Sequence, residues 1–242
     1  MACKYPPKGS QKRQHSRIFQ LIYLFLFGLN HNIPRETEAM RSHDLQGEEA
    51  TDFSELRLSD PLLRALSEAG FEQPSPIQAK AIPLGLFGLD LIAQAKSGTG
   101  KTIVFASIAL ELVRVETVSP QVVIVAPTRE VALQSCDVCR QLGSHLHRIK
   151  CHAFVGGTPL RTDTALAKST HIACGTPGRL VGLLLSEAFP SACVGLLVLD
   201  EADKLLETGF ESQLRYLLTS LPERKQTLAF SATYPDELLD TL

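Results

Sequence analysis

From Thr51 onward the chain alternates between two kinds of apolar pattern. Short, continuous apolar runs rich in β-branched residues recur at 89–93, 122–126, 151–155, 171–174, 196–199 and 227–230. Between them lie longer segments of helical period, such as Ile103, Phe105, Ala106, Ile108, Ala109, Leu112 and Val113. A strand that is apolar throughout must be covered on both faces, and the helical segments supply the cover. The pattern predicts an α/β domain over residues 51–242, a parallel sheet with helices on both faces. Sheets of this kind bind ligands at the carboxyl ends of their strands. No internal repeat interrupts the pattern.

The first fifty residues do not share it. Lys4, Lys8, Lys12, Arg13 and Arg17 precede an apolar stretch at 18–29, and residues 30–50 are polar and mixed in charge. This layout imitates a secretory signal, but the stretch is too short to span a bilayer comfortably and no small-residue cleavage pattern follows. The reading favoured over secretion is an N-terminal extension joined by a polar linker.

Composition adds two limits. A net charge of −2 gives no global basic field, so any polyanion must be met by a local patch or by backbone amides. The six cysteines look like a reduced intracellular set. Cys136 and Cys139 have a C-x-x-C spacing with no second pair, which predicts two thiols one helical turn apart rather than a zinc or redox site.

Two motifs carry chemistry at predicted strand ends. Ala95-Lys96-Ser97-Gly98-Thr99-Gly100-Lys101-Thr102 follows the first strand and opens a helix. Its glycines free the backbone to form an anion cradle, and the helix N-terminus adds a favourable dipole. Lys101 is placed to neutralise β- and γ-phosphates, and the Thr102 hydroxyl to ligate Mg²⁺. The first position of the general phosphate-loop pattern is Gly, but here it is Ala95. The second motif, Asp200-Glu201-Ala202-Asp203, follows the apolar run 196–199. Asp200 is placed to hold the metal through water, Glu201 to polarise an attacking water, and Asp203 to bond a neighbouring loop.

With these residues in hand, the chain from Asp52 onward resembles the DEAD-box ATP-dependent RNA helicases, whose RecA-like P-loop NTPase first lobe carries its motifs in this order. Gly70 through Gln78 is similar to the family's Q motif, with Phe53 seventeen residues before Gly70. The resemblance implies that Gln78 reads adenine with Phe53 or Phe71 against the base. Core packing is the competing role for both rings. Pro127-Thr128-Arg129, Gly156-Gly157 and Thr176-Pro177-Gly178-Arg179 resemble motif Ia, the glycine doublet and motif Ib. The resemblance assigns them to the RNA backbone, without sequence preference. Ser231-Ala232-Thr233 resembles motif III, implying bonds from Ser231 and Thr233 to Asp203 that link nucleotide state to RNA strain.

Segments 88–92, 156–160 and 199–207 look closest to the branch of the family that works in the SMN complex on spliceosomal small nuclear ribonucleoproteins. That likeness implies SMN complex proteins as partners, a cytoplasmic and nuclear location, and no membrane. Motifs IV, V and VI belong to a second lobe and have no counterpart in the sequence. The expectation is weak ATP binding and negligible turnover by this chain alone, since second-lobe arginines stabilise the transferring phosphoryl group. The alternative is a non-catalytic module that binds partner proteins or nucleotide.

Overall fold

The computed structural model describes residues 50–206 and 209–233. The apolar stretch 18–29 lies outside the described residues. Six strands, β1 (Leu91–Gln94), β2 (Val122–Val125), β3 (Cys151–Phe154), β4 (Ile172–Gly175), β5 (Leu196–Leu199) and β6 (Gln226–Ser231), form one sheet in the order β1-β6-β5-β2-β4-β3. Every neighbouring pair is parallel. The helices are α1 (Asp60–Glu68), α2 (Pro76–Leu86), α3 (Lys101–Leu112), α4 (Arg129–Leu142), α5 (Leu160–Ala167), α6 (Pro177–Leu185), α7 (Ala202–Leu206) and α8 (Glu211–Ser220).

The continuous apolar runs are explained by two separate cores. Val122, Ile124, Ile172, Cys174, Leu196, Val198, Leu228 and Phe230 face one layer of helices, α1 to α4. Their sequence neighbours Val123, Val125, Ala173, Leu197, Leu199 and Ala229 face the other, α5 to α8. Alternate side chains of a strand point to opposite faces, so both sets must be apolar. Each fully buried Leu, Ile or Phe stabilises the fold by roughly 1.5–3 kcal/mol.

Two elements depart from their sequence pattern. β1 starts two residues after its apolar run. The Gln226 side-chain amide donates to the Leu89 carbonyl at 2.6 Å, and the Asp90 carboxylate accepts the Thr227 N–H at 2.6 Å. Side chains thus replace the ladder there, and Leu89 is left exposed. Helix α3 has no polar face over most of its length: every residue from Ile103 to Leu110 is buried. It lies on the sheet between α2 and α4, which close its flanks.

Cys136, Cys139, Cys151 and Cys174 are free and buried where α4 packs on β3 and β4. Burial pushes the Cys151 thiol far above its ordinary range, as suits a small core hydrophobe. Among the described residues no helix is long and apolar enough to cross a membrane.

Candidate functional site

Apart from the Q motif, which precedes β1, the predicted motifs leave the sheet at its carboxyl edge. Residues 95–102 follow β1, 127–129 follow β2, 156–157 follow β3, 176–179 follow β4, 200–203 follow β5, and Thr233 follows β6. One edge therefore collects groups that are up to 138 residues apart in sequence (95–233).

The phosphate loop is shaped by two left-handed glycines and by bonds within the loop. Gly98 and Gly100 have φ of +82° and +89°, left-handed values that favour glycine. Gly100 is also the N-cap of α3. The Thr99 hydroxyl donates to the Lys96 carbonyl at 2.8 Å, and the Lys101 ammonium donates to the Ala95 carbonyl at 2.6 Å. Ala95 N–H in turn donates to the Ser231 carbonyl, tying the loop to β6. Lys96, Ser97 and Gly98 are exposed, and Lys101 and Thr102 are half-buried at the first turn of α3.

Across the edge, Asp200 is 5% exposed. Its N–H donates to the Val125 carbonyl, prolonging the parallel ladder past β5. One carboxylate oxygen accepts the Glu201 N–H at 3.0 Å; the other accepts a longer bond from Ser135 of α4, at 3.4 Å. Burial raises the Asp200 pKa to about 6, opposed by the Glu201 amide and by the charge of Lys101. The loop after β1 and the turn after β5 leave the same edge of the sheet, with β6 between the two strands. Glu201 has φ of +50°, a strained conformation for a residue with a side chain, and its carboxylate pairs with Lys204 at 3.0 Å. Asp203 accepts both the Thr233 hydroxyl at 3.0 Å and the Thr233 N–H at 3.3 Å. Burial would raise its pKa, but bonds from Ser231, Thr233 and Lys204 outweigh burial and hold it below the usual value.

The Q-motif residues are placed differently from expectation. Phe53 is 4% exposed and belongs to the core, which leaves it no open platform for a base; Phe71 is half-buried at the core's margin. Gln78 is 3% exposed. Its oxygen accepts the Ser75 N–H at 2.8 Å, closing a capping box at the start of α2. Its amide nitrogen donates to the Gly100 carbonyl at 3.3 Å, while the Ser75 hydroxyl donates to the Thr99 carbonyl at 2.9 Å. The motif is a brace under the phosphate loop. The S-x-x-Q spacing of Ser75-Pro76-Ile77-Gln78 was the sequence signal for the cap; nothing local signalled the bonds to 99 and 100.

Further along the edge a groove of about 980 Å³ runs past Thr128, Arg129, Gly156, Thr176, Gly178 and Arg179. Pro127 is buried beneath it, and the Thr128 hydroxyl accepts the Val131 N–H as the cap of α4. The exposed Arg129 guanidinium lies over the glycine doublet. A Cβ on Gly156 would meet its Nη2 at 2.9 Å, and one on Gly157 its Nη1 at 3.0 Å. Arg179, predicted as an RNA contact, instead pairs with the buried Asp163 at 3.1 Å and donates to the Thr158 carbonyl at 2.7 Å. Asp163 did not stand out in the sequence, and Thr158 did so only as part of segment 156–160.

A parallel sheet with helices on both faces, a phosphate loop after one strand and acids after another define a RecA-like domain of the helicase kind. The chain belongs to the DEAD/DEAH box helicase family, which residues 75–241 match. It is 50% identical over 203 residues to "Probable ATP-dependent RNA helicase DDX20" of Mus musculus, covering 84% of this chain and 25% of that protein. It is 40% identical over 209 residues to DEAD-box ATP-dependent RNA helicase 8 of Arabidopsis thaliana, covering 86% and 41%. S. cerevisiae Dbp5 bound to RNA and ADP BeF3 superposes with a TM-score of 0.74 at 33% identity, over 79% of this chain and 49% of that one. A DEAD box protein from Methanococcus jannaschii gives 0.71 at 35%, over 79% and 53%. The chain thus spans between a quarter and about half the length of these relatives.

Proposed function

We propose that this chain is the ATP-binding lobe of an ATP-dependent RNA helicase that remodels ribonucleoproteins. The observation that carries the reading is that the phosphate loop after β1 and the acidic turn after β5 stand on one edge of the sheet, with Asp203 bonded to Thr233 at the end of β6 between them. The triphosphate of the substrate would lie on the amides of 95–102, with Lys101 turning from the Ala95 carbonyl toward phosphate oxygens. The donor set fits Mg²⁺: a hydroxyl at Thr102 and a carboxylate at Asp200, hard oxygen ligands suited to a cation that keeps its waters. When bound, that ion supplies charge neutralisation at the phosphates. Glu201 would polarise the attacking water, and Phe71 together with the free capacity of the Gln78 amide would meet the adenine.

RNA would follow the groove by its backbone, on the amides at 156–157 and 176–178 and on Arg129. Asp203, Ser231 and Thr233 form the bonded bridge between the acidic turn and β6, through which a nucleotide-dependent shift would reach that groove. The similarity to the SMN-complex branch, together with the 50% identity reported above, supports a role in spliceosomal small nuclear ribonucleoprotein assembly. SMN complex proteins would be partners there, in cytoplasm and nucleus.

Titration of the chain with a fluorescent ATP analogue and Mg²⁺ tests the binding site; saturable binding lost in Lys101→Ala is the expected result, and equal binding by the variant overturns it. RNA-stimulated phosphate release separates a competent enzyme from a module that binds without turnover.

A further inference from the structure

Arg179 and Asp163 form the least exposed ion pair described in this chain, with side chains 12% and 5% exposed. The pair is closed into a ring. Arg179 Nη1 bonds the Asp163 carboxylate at 3.1 Å, and Nη2 donates to the Thr158 carbonyl at 2.7 Å. The single Thr158 hydroxyl proton is shared between the Asp163 carboxylate at 3.3 Å and the Val155 carbonyl at 3.2 Å. Three separate pieces of the groove wall meet here: the turn after Gly156-Gly157, helix α5 through Asp163, and the first turn of α6 through Arg179. A guanidinium has five donors in a rigid plane, so two bonds on different nitrogens set its orientation as well as its position.

We propose that Asp163 is a positioning residue for RNA binding, which rests on the RNA reading of the groove given above. By neutralising Arg179 it turns that side chain from a phosphate contact into a cross-brace. The brace sets the distance between the glycine turn and the α6 N-terminus, whose amides take successive backbone phosphates. The cationic contact of this part of the groove is then Arg129, which is exposed and lies over Gly156 and Gly157.

Charge alone makes the opposite prediction. Removing a carboxylate beside a polyanion groove, and releasing an arginine, should tighten RNA binding. The brace instead requires Asp163→Asn to weaken it, by about fivefold or more, the scale of one lost anchoring hydrogen bond.

The test uses the full 242-residue chain, a fluorescent single-stranded oligouridine and a salt series. Arg129→Ala should reduce the slope of log affinity against log salt by about 0.7, the value for one phosphate on a single strand. Arg179→Ala should weaken binding while leaving the slope unchanged, and Asp163→Glu should recover part of the affinity lost in Asp163→Asn. Amide hydrogen exchange at 156–158 should rise in Asp163→Asn without RNA present. If Asp163→Asn does not fold, Thr158→Val removes the hydroxyl leg at unchanged charge and carries the same two readouts. Tighter binding by Asp163→Asn, a slope loss in Arg179→Ala equal to that in Arg129→Ala, or unchanged exchange at 156–158 overturns the brace. Absence of salt-dependent RNA binding by the wild-type chain sinks the RNA reading itself, while the exchange measurement still decides the brace.

Discussion

The ammonium of Lys101 donates to the carbonyl of Ala95 at 2.6 Å, closing the phosphate loop on itself across its own six-residue span. Its positive charge also favours the ionised form of Asp200, against burial. Lys101→Ala removes the loop closure as well as the phosphate charge. Nucleotide affinity should fall by about tenfold or more, since a charged hydrogen bond contributes roughly 1.5–3 kcal/mol. Isothermal titration with an ATP analogue checks it.

Asp200 gives a pH-dependent prediction whose sign follows from burial. Its pKa is about 6 in the fold against 3.8 as the ordinary value, so between those pH values the folded chain holds more protons than the unfolded one. Stability contributed by this group therefore falls as pH rises from about 4 to 6 and stays low above. Asp200→Asn should raise the melting temperature at pH 7.5, by an effect on the order of 2–3 kcal/mol in stability, and change little near pH 4. Differential scanning calorimetry at the two pH values decides it. Mg²⁺-dependent nucleotide binding should be lost in the same variant.

Asp203 has the reverse sign. Its folded pKa is lowered, so the stabilisation from its bonds is present above the unfolded value and is lost as pH falls through the folded one. Thr233→Ala removes a hydroxyl bond of 3.0 Å and should cost about 0.5–1.5 kcal/mol at neutral pH. The difference from wild type should shrink as pH falls below the ordinary carboxylate value of 3.8, as acid melts followed by circular dichroism will show.

Gln78→Ala should lower thermal stability and nucleotide affinity together. It deletes half of a capping box and a prop under Gly100, each worth about 1 kcal/mol. A residue that only read adenine would leave the nucleotide-free melting temperature unchanged, so that single measurement separates the two roles.

Gly100→Ala should be more damaging than Gly98→Ala. Both positions have left-handed φ, but a Cβ on Gly100 would stand 2.2 Å from the Gln78 amide nitrogen, whereas one on Gly98 meets nothing within 4 Å. Strain alone costs about 1–2 kcal/mol at each; the clash adds to it only at Gly100. Melting temperatures of the two variants, measured side by side, give the order.

Local pattern was enough to determine the layers, the six strands and the edge on which the chemistry stands. A strand covered on both faces must be apolar at every position, and turns at strand ends carry Gly, Pro, Asp and Thr for conformational reasons that act within a few residues. The phosphate loop and the acidic turn were legible for the same reason: each is a contiguous stretch whose residue types serve one ligand. What only the tertiary structure decided lies in pairings across long sequence separations. Phe53 went to the core rather than to an open face, Gln78 under a loop 22 residues away, and Arg179 onto a carboxylate 16 residues upstream. An exposed and a largely covered arginine look alike in sequence, because desolvation and the partner that compensates it are set by packing that periodicity does not encode.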